Sequence, residues 1–257
     1  MHDSSEKTQT RQIDLTDVLP DIRLINVSEI KIVQEVVEFI ETNYQEHKGA
    51  ISVAEVAALI LNRDDVPNLY ATSIRGHNNQ VLEFQNLFGI NNFKIRSKIV
   101  PWALDKLIRA GLPKSLNQDL NMAVNEAKSP KQANDDNLLD ILTSIDLANV
   151  TEFQVIQEAV RCINAKYPKA ARRINLSDVC ALVLNNEVVT SLYATSEAEY
   201  NKLKEVYIAE YQSQVNEVVK RVVTKIYDEG SQYSFSHDSL LSVNFKRRNK
   251  ISNSWNV

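Results

Sequence analysis

The chain matches itself when it is shifted by 123 positions, because residues 15–73 then align with residues 138–196 without a gap. About two aligned positions in five are identical, whereas unrelated chains of ordinary composition match at roughly one position in fifteen to twenty. The match ends in the pentapeptide LYATS, which forms residues 69–73 and 192–196. A repeat of this length predicts one small domain that is used twice.

The limits of the two copies follow from how far the match extends. Beyond Ser73 the offset falls to about 119, where Gly111 matches Gly230, so the first copy carries about four extra residues near FGINNF. The predicted copies are residues 13–111 and 136–230. Three further segments are predicted to be a disordered N-terminus, a linker and a disordered basic tail: residues 1–12, 112–135 and 231–257.

Apolar residues recur at helical spacing near the start of each copy. The spacing predicts a long helix with one buried face, formed by Ile30, Val33, Val37, Ile40 and Tyr44 in the first copy and by Phe153, Ile156, Val160, Ile163 and Tyr167 in the second. Asn26 and Asn149 precede these helices at positions that suit an N-cap. A second helix, from Ser52 in the first copy and from near Asn175 or Ser177 in the second, is apolar on most sides and is predicted to be the domain centre.

The last helix of the second copy is predicted to run from Glu197 to about Asp228. Roughly 32 residues extend ~48 Å, which exceeds a domain of this size, so part of the apolar face is predicted to meet the other copy or another subunit. In the first copy, Pro101 and the stretch FGINNF predict a kink or a break. Since no strand pattern is evident and the chain has only five glycines, the predicted fold class is all-α.

The composition is that of a globular protein without membrane spans. The chain has 257 residues, of which 44% are hydrophobic, and a formal net charge of -4. No apolar run approaches the ~18 residues of a membrane span, and the polar start MHDSSEKTQTRQ lacks the apolar core of a secretory signal. The sequence therefore predicts a cytoplasmic protein, and its negative charge argues against a nucleic-acid partner.

Motifs of catalytic or metal-binding chemistry are missing from the sequence. It contains no glycine-rich phosphate loop, no H-E-x-x-H and no nucleophile elbow. Cys162 and Cys180 lack the spacing of a metal site or a disulfide framework, and each lies among apolar residues of a predicted helix. We therefore expect no enzyme activity, no catalytic residues, no metal and no cofactor.

The order of motifs within each copy carries a family resemblance. Each copy opens with N-V-x-E, continues with a central helix ending EVAALILNR or DVCALVLNN, and then reaches LYATS. This order resembles the late-competence ComFB family, in the branch that lacks a zinc-type cysteine cluster. The resemblance implies a small helical receptor for cyclic di-GMP, usually dimeric, that acts through protein partners in competence, motility or cell-size control.

A cyclic dinucleotide needs cations for its phosphates, flat side chains for stacking, and polar groups for its base edges. Side chains of these types surround both LYATS segments, and the resemblance makes them the candidate ligand-binding set. The set is Lys48, Arg63, Tyr70, Thr72 and Ser73 in the first copy, and Arg172, Arg173, Asn185, Tyr193, Thr195 and Ser196 in the second.

The same residues also have a purely structural interpretation. Ser196 begins the sequence Ser-Glu-Ala-Glu, a helix capping box, and a tyrosine between helices is commonly a buried anchor. Ser73 lacks the acid of such a box, and Asn186 stands in the second copy where the first has Arg63. The alternative function is therefore a helical scaffold without a small ligand, whose long helices mediate self-association or partner binding.

Overall fold

The computed structural model describes residues 22–44, 50–89, 92–111 and 135–229. We call the described residues up to 111 the first half, and residues 135–229 the second half. Both halves are mostly helical, as the apolar spacing predicts. From β1 to β2, each strand and α-helix of the first half has a counterpart of the same length that begins 123 residues later.

The elements follow one order in both halves. The first half consists of β1 (Ile25–Asn26), α1 (Val27–Asn43), α2 (Val53–Leu61), β2 (Tyr70–Ala71), α3 (Ile74–Phe88), a π turn (Ile95–Ile99) and α4 (Val100–Ala110). The second half consists of α5 (Asp135–Ser144), β3 (Ala148–Asn149), α6 (Val150–Lys166), a 3₁₀ turn (Ala171–Arg173), α7 (Leu176–Leu184), β4 (Tyr193–Ala194), α8 (Glu197–Val206), a π turn (Tyr207–Tyr211) and α9 (Gln212–Glu229).

The helices begin at the predicted caps. Asn26 and Asn149 are the N-caps of α1 and α6, and their side-chain oxygens accept hydrogen bonds from the backbone N–H three residues later at 3.1 and 3.0 Å. Ser52 caps α2 in the same way, and Asn175 rather than Ser177 caps α7. Each cap satisfies backbone amides that have no partner within the helix.

The all-α prediction is wrong in one respect, because each LYATS segment contributes a short strand. β2 pairs antiparallel with β1, and β4 pairs antiparallel with β3, through two residues each. Ile25 lies opposite Ala71, and Ala148 lies opposite Ala194. A strand of two residues is too short for an alternation of apolar and polar residues to be recognised.

The central helices occupy the positions that their apolar composition predicts. α2 packs on α1 and α4, and α7 packs on α6 and α9. Each half also places three buried side chains in the core of the other half. These are Leu142, Leu147 and Tyr193 in the first-half core, and Ile22, Leu24 and Tyr70 in the second-half core. Neither core is therefore complete without residues of the opposite half.

The predicted long helix of the second half is confirmed. The backbone is helical from Glu197 to Glu229, since the π turn joins α8 directly to α9. The apolar face of α9 is buried in the second-half core through Val215, Val218, Val219, Val222, Val223 and Ile226. Its principal contacts are with α6 and α7, so this face is covered largely within its own half, and self-association stays a prediction.

The corresponding segment of the first half is interrupted at FGINNF, as predicted. α3 ends at Phe88 and is followed by Gly89, whose φ of +85° is a conformation that glycine adopts without strain. Asn92 also has a positive φ, of 54°. Pro101 lies in the first turn of α4, directly after the π turn.

Several predictions concern residues that the structure does not describe. These are the disordered N-terminus at residues 1–12, the tail at residues 231–257, nearly all of the linker at residues 112–135, and the candidate ligand residue Lys48. At the end of the predicted linker, α5 begins at Asp135, one residue before the predicted start of the second copy.

Candidate functional site

The two LYATS strands are tied to the opposite halves through asparagine side chains. Asn185, at the end of α7, accepts a hydrogen bond from the Tyr70 backbone N–H at 2.6 Å and donates one to the Tyr70 carbonyl at 2.9 Å. Asn62, at the end of α2, makes the same pair with Tyr193 at 2.7 and 3.0 Å. Each asparagine side-chain amide thus makes the two hydrogen bonds that a peptide group of an adjacent strand would make. In this way each short sheet is extended by a residue of the opposite half.

The side chains of the exchanged tyrosines, Tyr70 and Tyr193, meet in a buried polar cluster. The Asn26 amide donates to the Tyr70 hydroxyl at 2.9 Å and to the Tyr193 hydroxyl at 2.6 Å. The Asn149 amide donates to the Tyr70 hydroxyl at 2.7 Å. All four residues are less than 5% exposed. The two asparagines therefore cap α1 and α6 with their oxygens and join the halves with their nitrogens.

Two carboxylates complete this cluster. Glu29 and Glu152 are 0% and 4% exposed, and the Tyr70 hydroxyl is hydrogen-bonded to Glu152. Burial, together with the neighbouring Tyr193 hydroxyl and the two carboxylates, raises the pKa of Tyr70 well above its usual value. The Tyr70 hydroxyl consequently stays protonated and acts as a donor within the cluster. We call these six residues (Asn26, Glu29, Tyr70, Asn149, Glu152 and Tyr193) the tyrosine cluster.

The hydroxyl residues that end the LYATS segments bind their own chain. Ser73 and Ser196 are the N-caps of α3 and α8, and accept hydrogen bonds from the backbone N–H three residues later at 3.1 and 3.2 Å. The Thr195 N–H and hydroxyl both donate to Glu199, at 2.8 and 2.9 Å. The Thr72 hydroxyl instead donates to Asp178 of the second half at 3.0 Å. The structural interpretation of the serines as helix caps is thus what the contacts show.

The cation Arg63 is held in place from two sides. Its guanidinium makes two hydrogen bonds to Asp65, at 2.7 and 2.9 Å, and lies 4.4 Å from the ring centre of Trp102. The bond to Arg63 lowers the pKa of Asp65. The Arg63 side chain keeps 28% of its surface exposed. It therefore offers a preorganised but partly neutralised cation.

Two further basic candidates, Arg172 and Arg173, belong to the second half. Arg173 is exposed in the 3₁₀ turn that precedes α7. Arg172 belongs to the same turn, but its side chain is outside the described set.

An open cleft of about 600 Å³ lies between the halves beside this contact. The segments that join α2 to β2 and α7 to β4 both contribute to its lining, which includes the candidates Arg63 and Asn185. Three acids, Asp64, Glu83 and Glu187, also line the cleft. Its volume suits a small-molecule ligand, whereas its charge is more acidic than a phosphate site requires.

Sequence reasoning found the doubled motif but missed what holds the halves together. Asn62 and its counterpart Asn185 are identical in the sequence, yet only Asn185 belongs to the candidate set. Asn68 was missed, although its amide donates to the Val189 carbonyl at 2.7 Å and its side-chain oxygen accepts from the Ser191 hydroxyl. Identity at matched positions was the available signal for Asn62. No comparable signal marked Asn68.

Within the described ranges, no helix is long and apolar enough to cross a bilayer. The same residues contain no group of three His, Cys, Asp or Glu side chains placed to hold a metal ion. Comparison of the chain with family models, with curated proteins and with solved structures gives no match.

Proposed function

We propose that this chain is a non-enzymatic signalling protein of the ComFB type, which binds cyclic di-GMP or a related cyclic dinucleotide and acts through a regulatory protein partner. In this proposal the two halves are copies of one domain that pair within a single chain. They take the place of the two subunits that the resemblance implies for a dimeric receptor.

The observation that carries the proposal is the reciprocal contact between the LYATS segments. Each segment places a tyrosine in the core of the other half. This arrangement supports a receptor whose repeated motif builds the contact beside a shared cleft. The exchanged tyrosines are at most 2% exposed, so in this proposal they position the cleft and do not stack on the ligand.

The groups that would touch the ligand are those that remain accessible near the contact. Arg63 and Asn185 line the cleft, and they supply a cation for a phosphate and an amide for a base edge. Arg172 and Arg173, in the turn before α7, supply further positive charge in the second half. The ligand would displace solvent from the cleft without disturbing the buried cluster.

Isothermal titration calorimetry with cyclic di-GMP and cyclic di-AMP tests the proposal. We expect one of them to bind, and Arg63→Ala to weaken binding by about tenfold, the loss of roughly one charge-assisted hydrogen bond. The double variant Arg172→Ala, Arg173→Ala should weaken binding less, because neither arginine is among the described residues that line the cleft. Arg109→Ala is the matched control, because that side chain is 77% exposed, pairs with Asp105 and does not line the cleft. If neither nucleotide binds at up to about 1 mM, the chain is not a receptor for them.

A second candidate function is a scaffold that carries no nucleotide. Two observations favour it. The acidic side chains of the cleft repel phosphate, and the candidate polar side chains already form hydrogen bonds within the protein. Under this alternative, the paired halves present their surface to protein partners alone. Absence of nucleotide binding together with an unchanged partner complex in Arg63→Ala would support the scaffold.

A further inference from the structure

Two corresponding glutamates, Glu35 on α1 and Glu158 on α6, have different surroundings. Glu35 is 1% exposed and binds two side chains of the segment that follows α3. The Asn92 amide donates to it at 2.6 Å, and the Arg96 guanidinium donates to both of its oxygens. Arg96 also reaches Glu38 at 2.7 Å. In the first half, the space over this carboxylate is therefore filled by the chain itself.

In the second half, a polar pocket of about 420 Å³ lies over Glu158. Arg161, one turn along α6, makes two hydrogen bonds to Glu158 at 2.8 and 2.7 Å and is otherwise 69% exposed. Tyr207 and Asn216 line the opposite wall. The pocket is distinct from the cleft between the halves, because the two share no lining residue.

The wall opposite Glu158 carries buried polar atoms that lack partners. Tyr207 is 1% exposed, and its hydroxyl has no hydrogen-bond partner among the described residues. The side-chain oxygen of Asn216 is likewise buried without a partner in the described part of the chain. A buried polar atom without a hydrogen bond destabilises the folded state unless something satisfies it. Tyr207 also begins the π turn of the long helix, a distortion that is frequent at functional sites.

The chemistry of these atoms defines what fits. Burial and the nearby Glu158 carboxylate raise the pKa of Tyr207, so its hydroxyl is a donor that needs an acceptor. The Asn216 oxygen is an acceptor that needs an N–H. The charges of Glu158 and Arg161 neutralise each other, so the pocket attracts neither an anionic nor a cationic ligand. The ligand should therefore be neutral and carry a carbonyl beside an N–H.

We infer that the pocket over Glu158 binds a small planar molecule with a lactam edge, in which a carbonyl adjoins an N–H, as in a 6-oxopurine nucleoside. The Tyr207 hydroxyl donates to the carbonyl, and the Asn216 oxygen accepts from the N–H. Among the described residues the site belongs to the second half, because Asn92 and Arg96 occupy the equivalent carboxylate in the first. It goes beyond the proposed function and does not depend on it.

The test is a titration of the full chain with inosine, and with adenosine as the matched nucleoside that lacks the lactam edge, followed by heteronuclear NMR. We expect inosine to bind with a dissociation constant below about 1 mM, and adenosine to bind at least about tenfold more weakly. Tyr207→Phe should reduce inosine affinity at least about tenfold. The proposal is wrong if inosine does not bind, or if the two nucleosides bind equally.

Variants separate a binding role from a structural one. Tyr207→Phe removes only a hydroxyl without a described partner, so the melting temperature should be unchanged or higher while inosine affinity falls. Tyr227→Phe, at a half-exposed tyrosine outside the pocket lining, should leave inosine affinity unchanged. Arg63→Ala, in the cleft, should also leave it unchanged even if cyclic di-GMP binding is lost. Equal inosine affinity in the wild type and in Tyr207→Phe overturns the inference and leaves the proposed receptor function intact.

Discussion

At the scale of single residues, the identity of the two LYATS segments has a structural explanation. Tyr70 and Tyr193 must each fit the core of the opposite half. The hydroxyl of each must also accept a hydrogen bond from the Asn26 amide. The serines must begin α3 and α8. The sequence predicted the asparagines as caps and left capping as the alternative role of the serines, because capping is local. It did not predict the exchange of tyrosines, since that depends on residues more than a hundred positions away.

Removal of a tyrosine hydroxyl tests the tyrosine cluster. Tyr70→Phe should lower the free energy of unfolding by about 1–3 kcal/mol, because the Asn149 amide and the Glu152 carboxylate lose a buried partner. Urea denaturation measures this change. Tyr227→Phe is the control, since Tyr227 is 48% exposed and should change stability by less than about 0.5 kcal/mol. Equal stability of wild type and Tyr70→Phe would show that the cluster contributes nothing.

The ion cluster of Arg96, Glu35 and Glu38 gives a prediction that depends on pH. Arg96→Met should cost about 3–5 kcal/mol at pH 7, because it leaves two buried carboxylates without their cation. Burial already raises the pKa of Glu35, and Arg96 opposes that rise. A carboxyl group whose pKa is higher in the folded than in the unfolded state destabilises the folded state as the pH rises from the unfolded pKa through the folded pKa. The loss in Arg96→Met should therefore be smaller at pH 4 than at pH 7, where the carboxylate is ionised.

Arg161→Met provides the matched control for this measurement. It removes the partner of Glu158, the counterpart of Glu35, but the Arg161 side chain is 69% exposed whereas that of Arg96 is 19% exposed. Because water reaches the Arg161 site, the expected loss is smaller than in Arg96→Met. A loss in Arg96→Met that is equally small, or independent of pH, would contradict the role assigned to the buried cation.

At the scale of elements, the helices were predictable and the strands were not. α1, α2 and the long helix from Glu197 follow from apolar spacing and caps, which are properties of adjacent residues. β2 and β4 have two residues each and are completed by asparagine side chains from the other half. The pocket over Glu158 was missed for a similar reason, because its walls come from two helices that are distant in the chain.

The asparagine pairing predicts a local change in backbone protection. In Asn185→Ala, the Tyr70 amide loses its acceptor at 2.6 Å, so hydrogen exchange at that amide should become faster. The expected loss of stability is about 1–2 kcal/mol, since two hydrogen bonds are removed. Asn186→Ala is the control, because its side chain accepts a 3.3 Å bond from the Val188 N–H of its own turn. An unchanged exchange rate for Tyr70 would rule out the asparagine as its partner.

At the scale of the whole molecule, the shared cores make the two halves one folding unit. Calorimetry of the intact chain should give a single unfolding transition. Separate chains of residues 1–111 and 135–257 should associate in a one-to-one complex, and neither alone should be a folded monomer, because each lacks three residues of its own core. A second half that is folded and monomeric by itself would contradict this expectation. The repeat in the sequence predicted two domains, but it did not predict their mutual dependence.

The exchanged core residues also bear on the order of events during synthesis. Leu142, Leu147 and Tyr193 belong to the first-half core, yet they leave the ribosome only after the first half has been made. The first half must therefore present uncovered apolar surface until residue 193 has emerged, a situation in which nascent chains are prone to misassociate. Translation that stalls within the second half would release a product that cannot complete even its N-terminal core.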